Sequence, residues 1–101
     1  MQRGKVISQA CHAISGTMNA VRKDEEAFDA WKQSGEAKIV LKAGMHDIAE
    51  VVKNARNMGV CVYKVYDAGK TQVLPGSNTA VAIGPAPKSV LSLLTGHLKL
   101  Y

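Results

Sequence analysis

Residues 60–87 read VCVYKVYDAGKTQVLPGSNTAVAIGPAP. Two short runs, VCVYKVYD at 60–67 and TAVAIG at 79–84, are β-branched, aromatic and apolar and are bounded by glycine, proline and polar residues, as β-strands require. Between them the chain turns small and polar, with a single carboxylate, Asp67, at the end of the first run. Pro85 and Pro87 stop further pairing and can launch a last helix over about Pro87–Leu94, before TGHLKLY closes the chain.

Working outward, AKIVLKA at 37–43 has the same strand character, with lysines at its edges. Each strand is preceded or followed by a helical pattern. From Lys5 to about Arg22, Val6, Ile7, Ala10, Cys11, Ala13, Ile14, Met18 and Val21 recur at helical spacing. Asp24, Glu25 and Glu26 suit the positive end of a short second helix that runs through Phe28 and Trp31 and stops at Gly35. HDIAEVVKNARNMG places Ile48, Val51, Val52, Ala55 and Met58 on one face, and Gly59 stands where a C-terminal cap belongs. Helices alternating with apolar strands predict an α/β domain, a three-layer α/β/α arrangement around a small sheet with three strands in this sequence. At 101 residues the chain is one domain, residues 1–101, with no repeat or linker.

Composition excludes several classes. Apolar residues make up 47%, and no apolar run approaches the roughly 18 residues of a membrane span. The opening MQRGKVISQACHA lacks the apolar core of a secretory signal, which leads us to expect a cytoplasmic protein, with a mitochondrial one left open. Cys11 and Cys61 read as reduced thiols, and His12, His46 and His97 lack metal-ligand spacing, so no metal is expected. Residues 1–50 carry seven basic and seven acidic side chains, but residues 51–101 carry six basic and only Asp67, so the net charge of +5 lies in the second half. Such a half would attract a polyanion; charge alone serves solubility equally well.

Lys5 sits at the start of the first predicted helix, where a cation meets the positive dipole end, so it is either a solvated terminal lysine or one that pairs with an anion. Gln9 and His12 follow at i+4 and i+7 on the same face. Asp67 ends a strand and opens a loop, the place where open α/β sheets hold ligands. Lys70, Thr71, Gln72, Ser77 and Thr79 then supply a dense polar set, which is also ordinary turn chemistry.

The blocks GKVISQACHA, DAGKTQVLPGSNTAVAIGPAP and TGHLKLY, in this order, resemble the signature segments of the type II peptidyl-tRNA hydrolases, the archaeal and eukaryotic class. The resemblance covers essentially the whole chain. It implies an enzyme that hydrolyses the ester between a stalled peptide and the 3′ ribose of its tRNA, without metal or organic cofactor. It implies that Lys5 and Asp67 are central, with the TQ and GS-x-T positions, Thr71, Gln72, Ser77 and Thr79, lining the site; Gln9, His12 and Lys70 beside them are expected to bind substrate as well. Either Asp67 orients or deprotonates water while Lys5 holds a phosphate or the oxyanion, or Lys5 is the base and Asp67 tunes it. The function from another class is a non-catalytic RNA- or protein-binding module derived from the family. Members also begin with an apolar strand ahead of the GK motif, whereas this sequence starts at Met1, about where that motif begins. The resemblance therefore predicts a mixed sheet lacking one strand here, its edge filled by a second copy in a homo-oligomer or by upstream residues.

Overall fold

The computed structural model describes residues 3–21, 24–66 and 78–101, with backbone alone at 78 and 79. The described elements are α1 (Arg3–Val21), α2 (Glu25–Gln33), α3 (Met45–Asn57), β1 (Val62–Tyr66), β2 (Asn78–Ile83) and α4 (Lys88–Thr95), a mixed α/β fold.

The strands pair antiparallel, with Val62 opposite Ile83, Tyr63 opposite Ala82 and Lys64 opposite Val81. Side chains alternate along a strand, so Val62, Lys64, Val81 and Ile83 share one face and Tyr63, Val65, Ala80 and Ala82 the other. On the first face Val62 and Ile83 pack against a core of Ala55 from α3, Val60 and Leu94 from α4. On the second, the Tyr63 ring lies directly over Gly16 of α1. A Cβ at position 16 would fall inside that ring, so the close approach of helix to strand depends on glycine. Gly16→Ala is expected to push the Tyr63 ring off α1 at an overpacking cost of about 1–3 kcal/mol, partly offset by about 1 kcal/mol of better helix propensity. Urea unfolding checks this: Tyr63→Ala should remove most of the penalty of Gly16→Ala, and an equal penalty in both backgrounds would break the link.

The helix boundaries follow from their caps. Asp24 accepts a hydrogen bond from the Ala27 N–H (3.2 Å) at the start of α2, and Asp47 accepts one from the Gly44 N–H (3.1 Å) at the start of α3. At the far end of α3, Gly59 has φ +72°, its N–H donates to the Arg56 carbonyl (3.1 Å) and the Val60 N–H donates to the Ala55 carbonyl (2.9 Å). That is a Schellman cap, and its hydrophobic contact is the packing of Val60 on Ala55. The cap turns the chain directly into β1.

The predicted strand at 37–43 does not join the sheet. Instead Lys42 N–H donates to the Lys99 carbonyl (2.8 Å), Tyr101 N–H donates to the Val40 carbonyl (3.0 Å), and Leu41 forms an isolated bridge with Leu100. Strand propensity reflects burial against neighbours, and here Ile39 is 71% exposed and Val40 47%. The three-strand sheet expected from sequence is therefore an antiparallel pair among the described residues.

Candidate active site at the Lys5 end of the sheet

The direction of α1 can be read from what its residues touch. Its last residue, Val21, shares a groove with Val60, Cys61 and Pro85, at the start of β1 and just past the end of β2. Further back, Gly16 meets Tyr63. The helix thus runs antiparallel to β1. Lys5 lies about 16 Å of helix beyond Gly16, and Tyr66 lies about 10 Å of strand beyond Tyr63. The N-terminus of α1 therefore overhangs the end of β1 from which Asp67 follows in sequence. Asn78, paired with Tyr66, begins β2 at this same end.

The buried stripe of α1 is Gln9, Ala13, Thr17 and Val21. Steps of four residues turn about 40° each on a helix of 3.6 residues per turn, so the stripe winds round α1. Gln9 is only 5% exposed, and Lys5 is half-buried one step before it. Neither is without a partner. His12 falls off the edge of the stripe and is exposed, so the polar face expected to hold all three divides into a packed pair and a solvated histidine. The first turn of α1 contains no acidic side chain, which leaves the Lys5 cation against the positive helix end, an arrangement that favours a nearby anion.

Asp67, Lys70, Thr71, Gln72 and Ser77 lie outside the described residues, and so does the side chain of Thr79. The backbone at Thr79 carries a feature that sequence alone did not suggest. Val65 pairs with Ala80 and Tyr66 with Asn78, so Thr79 is the extra residue of a β-bulge. Bulges bend a strand and re-aim its side chains, and they concentrate beside active sites.

The remaining reactive groups are elsewhere. Among the described residues no three His, Cys, Asp or Glu side chains gather as metal ligands, and no helix is long and apolar enough to cross a membrane. Burial pushes the Cys61 thiol above its ordinary range, and the charge of Asp24 adds to the shift. Cys11 is exposed on α1. Iodoacetamide at neutral pH is accordingly expected to alkylate exposed Cys11 first and half-buried Cys61 more slowly, since only the thiolate reacts. Peptide mapping over a time course reads the two rates, and equal rates would contradict the burial of Cys61.

A family model, peptidyl-tRNA hydrolase PTH2, matches residues 1–101. The chain is 42% identical to a protein named probable peptidyl-tRNA hydrolase 2 of Dictyostelium discoideum, over 100% of this chain and 49% of the relative. It is 39% identical to peptidyl-tRNA hydrolase 2, mitochondrial, of Bos taurus, over 100% of this chain and 58% of that one. With the peptidyl-tRNA hydrolase of Methanocaldococcus jannaschii it shares 39% identity over 99% of this chain and 89% of the relative. The chain thus spans about half the length of the two eukaryotic relatives and most of the archaeal one.

Proposed function

The chain belongs to the PTH2 family of peptidyl-tRNA hydrolases, and on that footing we propose that it hydrolyses the ester joining a peptide to the 3′ ribose of tRNA, at the end of the sheet where Lys5 stands. One observation carries the reading: α1 runs antiparallel to β1, so a half-buried lysine on a positive helix end overhangs the strand that leads into Asp67.

The reaction needs an activated water and a place for the negative charge that develops on the carbonyl oxygen. The water oxygen bonds to the ester carbon, the bond from that carbon to the ribose oxygen breaks, and the ribose oxygen takes up a proton. In one assignment Asp67 orients or deprotonates the water while the Lys5 ammonium holds the oxyanion or a phosphate. In the other, neutral Lys5 takes the proton and Asp67 tunes it. Gln9, buried one helical turn from Lys5, is placed to fix the lysine or the substrate, and Lys70, Thr71, Gln72, Ser77 and Thr79 would contact the ester and terminal nucleotide. His12, being exposed, would reach only an outer part of the tRNA.

The finer architecture belongs to the same reading. We take the fold as three layers, α1 and α3 with α4 covering opposite faces of a small mixed sheet, within one domain spanning 1–101. The sheet would be completed by a further strand or by a second copy of the chain. A cytoplasmic location goes with it, the mitochondrial alternative being the one in the name of the Bos taurus relative.

Incubation with N-blocked aminoacyl-tRNA tests the function. Catalytic release of free tRNA is the expected result. Tight binding without release would instead favour a non-catalytic RNA-binding module.

A further inference from the structure

Basic residues of the second half converge on one groove, on the face of the strand pair away from Tyr63. Lys53 and Arg56, three residues apart on α3, and Lys64 on β1 rim a groove of about 470 Å³. Ile48 and Val52 lie along its floor, and Asn57 adds an amide. Among the described residues no acidic side chain lines it, and none of the three cations forms an ion pair. Lys53 and Arg56 are exposed, and Lys64 is half-buried. Among the described residues, Glu50 of α3 is not in the groove lining and meets His46 at 3.6 Å, and Asp24 lines the neighbouring groove that Arg56 also borders.

We infer that this groove binds the phosphodiester backbone of RNA, at tRNA phosphates remote from the 3′ end. Three like charges around one cleft repel each other and focus a positive field into it, a cost that a run of closely spaced phosphates relieves. The apolar floor suits ribose and base edges, while a planar guanidinium and two ammonium groups suit phosphate oxygens. Lys64 and Tyr63 point to opposite faces, and Tyr63 is on the α1 side. The groove therefore lies on the far side of the strand pair from the helix that carries Lys5, so one tRNA would engage both by wrapping past the sheet. The inference rests on the proposed tRNA substrate.

The test compares the unaltered chain with the triple variant Lys53→Gln, Arg56→Gln, Lys64→Gln, and with a charge-matched triple outside the groove, Lys32→Gln, Lys38→Gln, Lys99→Gln. Deacylated tRNA binding is followed by fluorescence anisotropy across a salt series. Hydrolysis is measured on N-blocked aminoacyl-tRNA and on the same aminoacyl group carried by a short oligonucleotide of the tRNA 3′ end. The groove triple should weaken tRNA binding at least tenfold at low salt. It should also flatten the log–log salt slope by about 2, since each lost phosphate contact removes about 0.7–0.9. Its hydrolysis should fall on tRNA but not on the short substrate. If circular dichroism shows that the triple does not fold, the double variant of exposed Lys53 and Arg56 should still flatten the slope by about 1.5. Equal losses in the two triples, an unchanged slope, or equal loss on both substrates would overturn the groove assignment. Failure of the unaltered chain to hydrolyse either substrate would instead overturn the functional reading on which it rests.

Discussion

Lys5→Ala and Asp67→Asn are each expected to lower turnover of N-blocked aminoacyl-tRNA by about 10²–10⁴-fold, the range for a positioned acid or base. Fold and tRNA binding should stay largely intact, because Lys5 stands in the first turn of α1 rather than within the Ala55, Val60 and Leu94 core. If both act on the same water and ester, as proposed, the two losses should not add. The double variant is expected to be little worse than either single one, as for groups that act as a unit. His12→Ala should cost far less, since that side chain is exposed and off the packed stripe. Single-turnover rates for the four variants decide it: full activity in either single variant removes that residue from the reaction, and a loss at His12 as deep as at Asp67 makes His12 the base.

The affinity for tRNA should collapse with salt. The whole net charge of +5 lies in residues 51–101, and about five phosphate contacts predict a loss of about 10²–10³-fold between 50 and 200 mM salt. Lys88, exposed at the first turn of α4, and Lys70, in the polar loop sequence, are the further positions to neutralise, each expected to flatten the slope by about 1 if it meets a phosphate. An affinity that holds constant over this range would show that tRNA is recognised without the basic half.

Local chemistry was the legible part of this chain. Gly59 was readable as a cap because a Schellman turn needs a left-handed residue after the last helical one, and the turn forms there. Asp24 and Pro87 likewise announced the starts of α2 and α4. What depends on distant neighbours was less legible. AKIVLKA has strand propensity, but propensity cannot supply a partner, and residues 40–42 find theirs in the last three residues of the chain. Helical periodicity put Lys5, Gln9 and His12 on one face; only the packing of α1 across the strands separates buried Gln9 from exposed His12. The bulge at Thr79 adds one unpaired residue to a ladder, and composition does not encode it. Nor did the asymmetry of charge reveal the groove. Lys53 and Arg56 share a helical face that sequence shows, but the arrival of Lys64 beside them depends on the register and packing of β1.

Hydrolysis in water enriched in oxygen-18 tests the central claim most directly, because it follows the bond that the Lys5 end of the sheet is proposed to break. Single turnover of N-blocked aminoacyl-tRNA, with mass spectrometry of both products, should place one heavy oxygen in the freed carboxylate and none in the 3′ ribose, with no label released in Asp67→Asn over the same time. Heavy oxygen in the ribose, or release that proceeds equally in Asp67→Asn, would contradict the account.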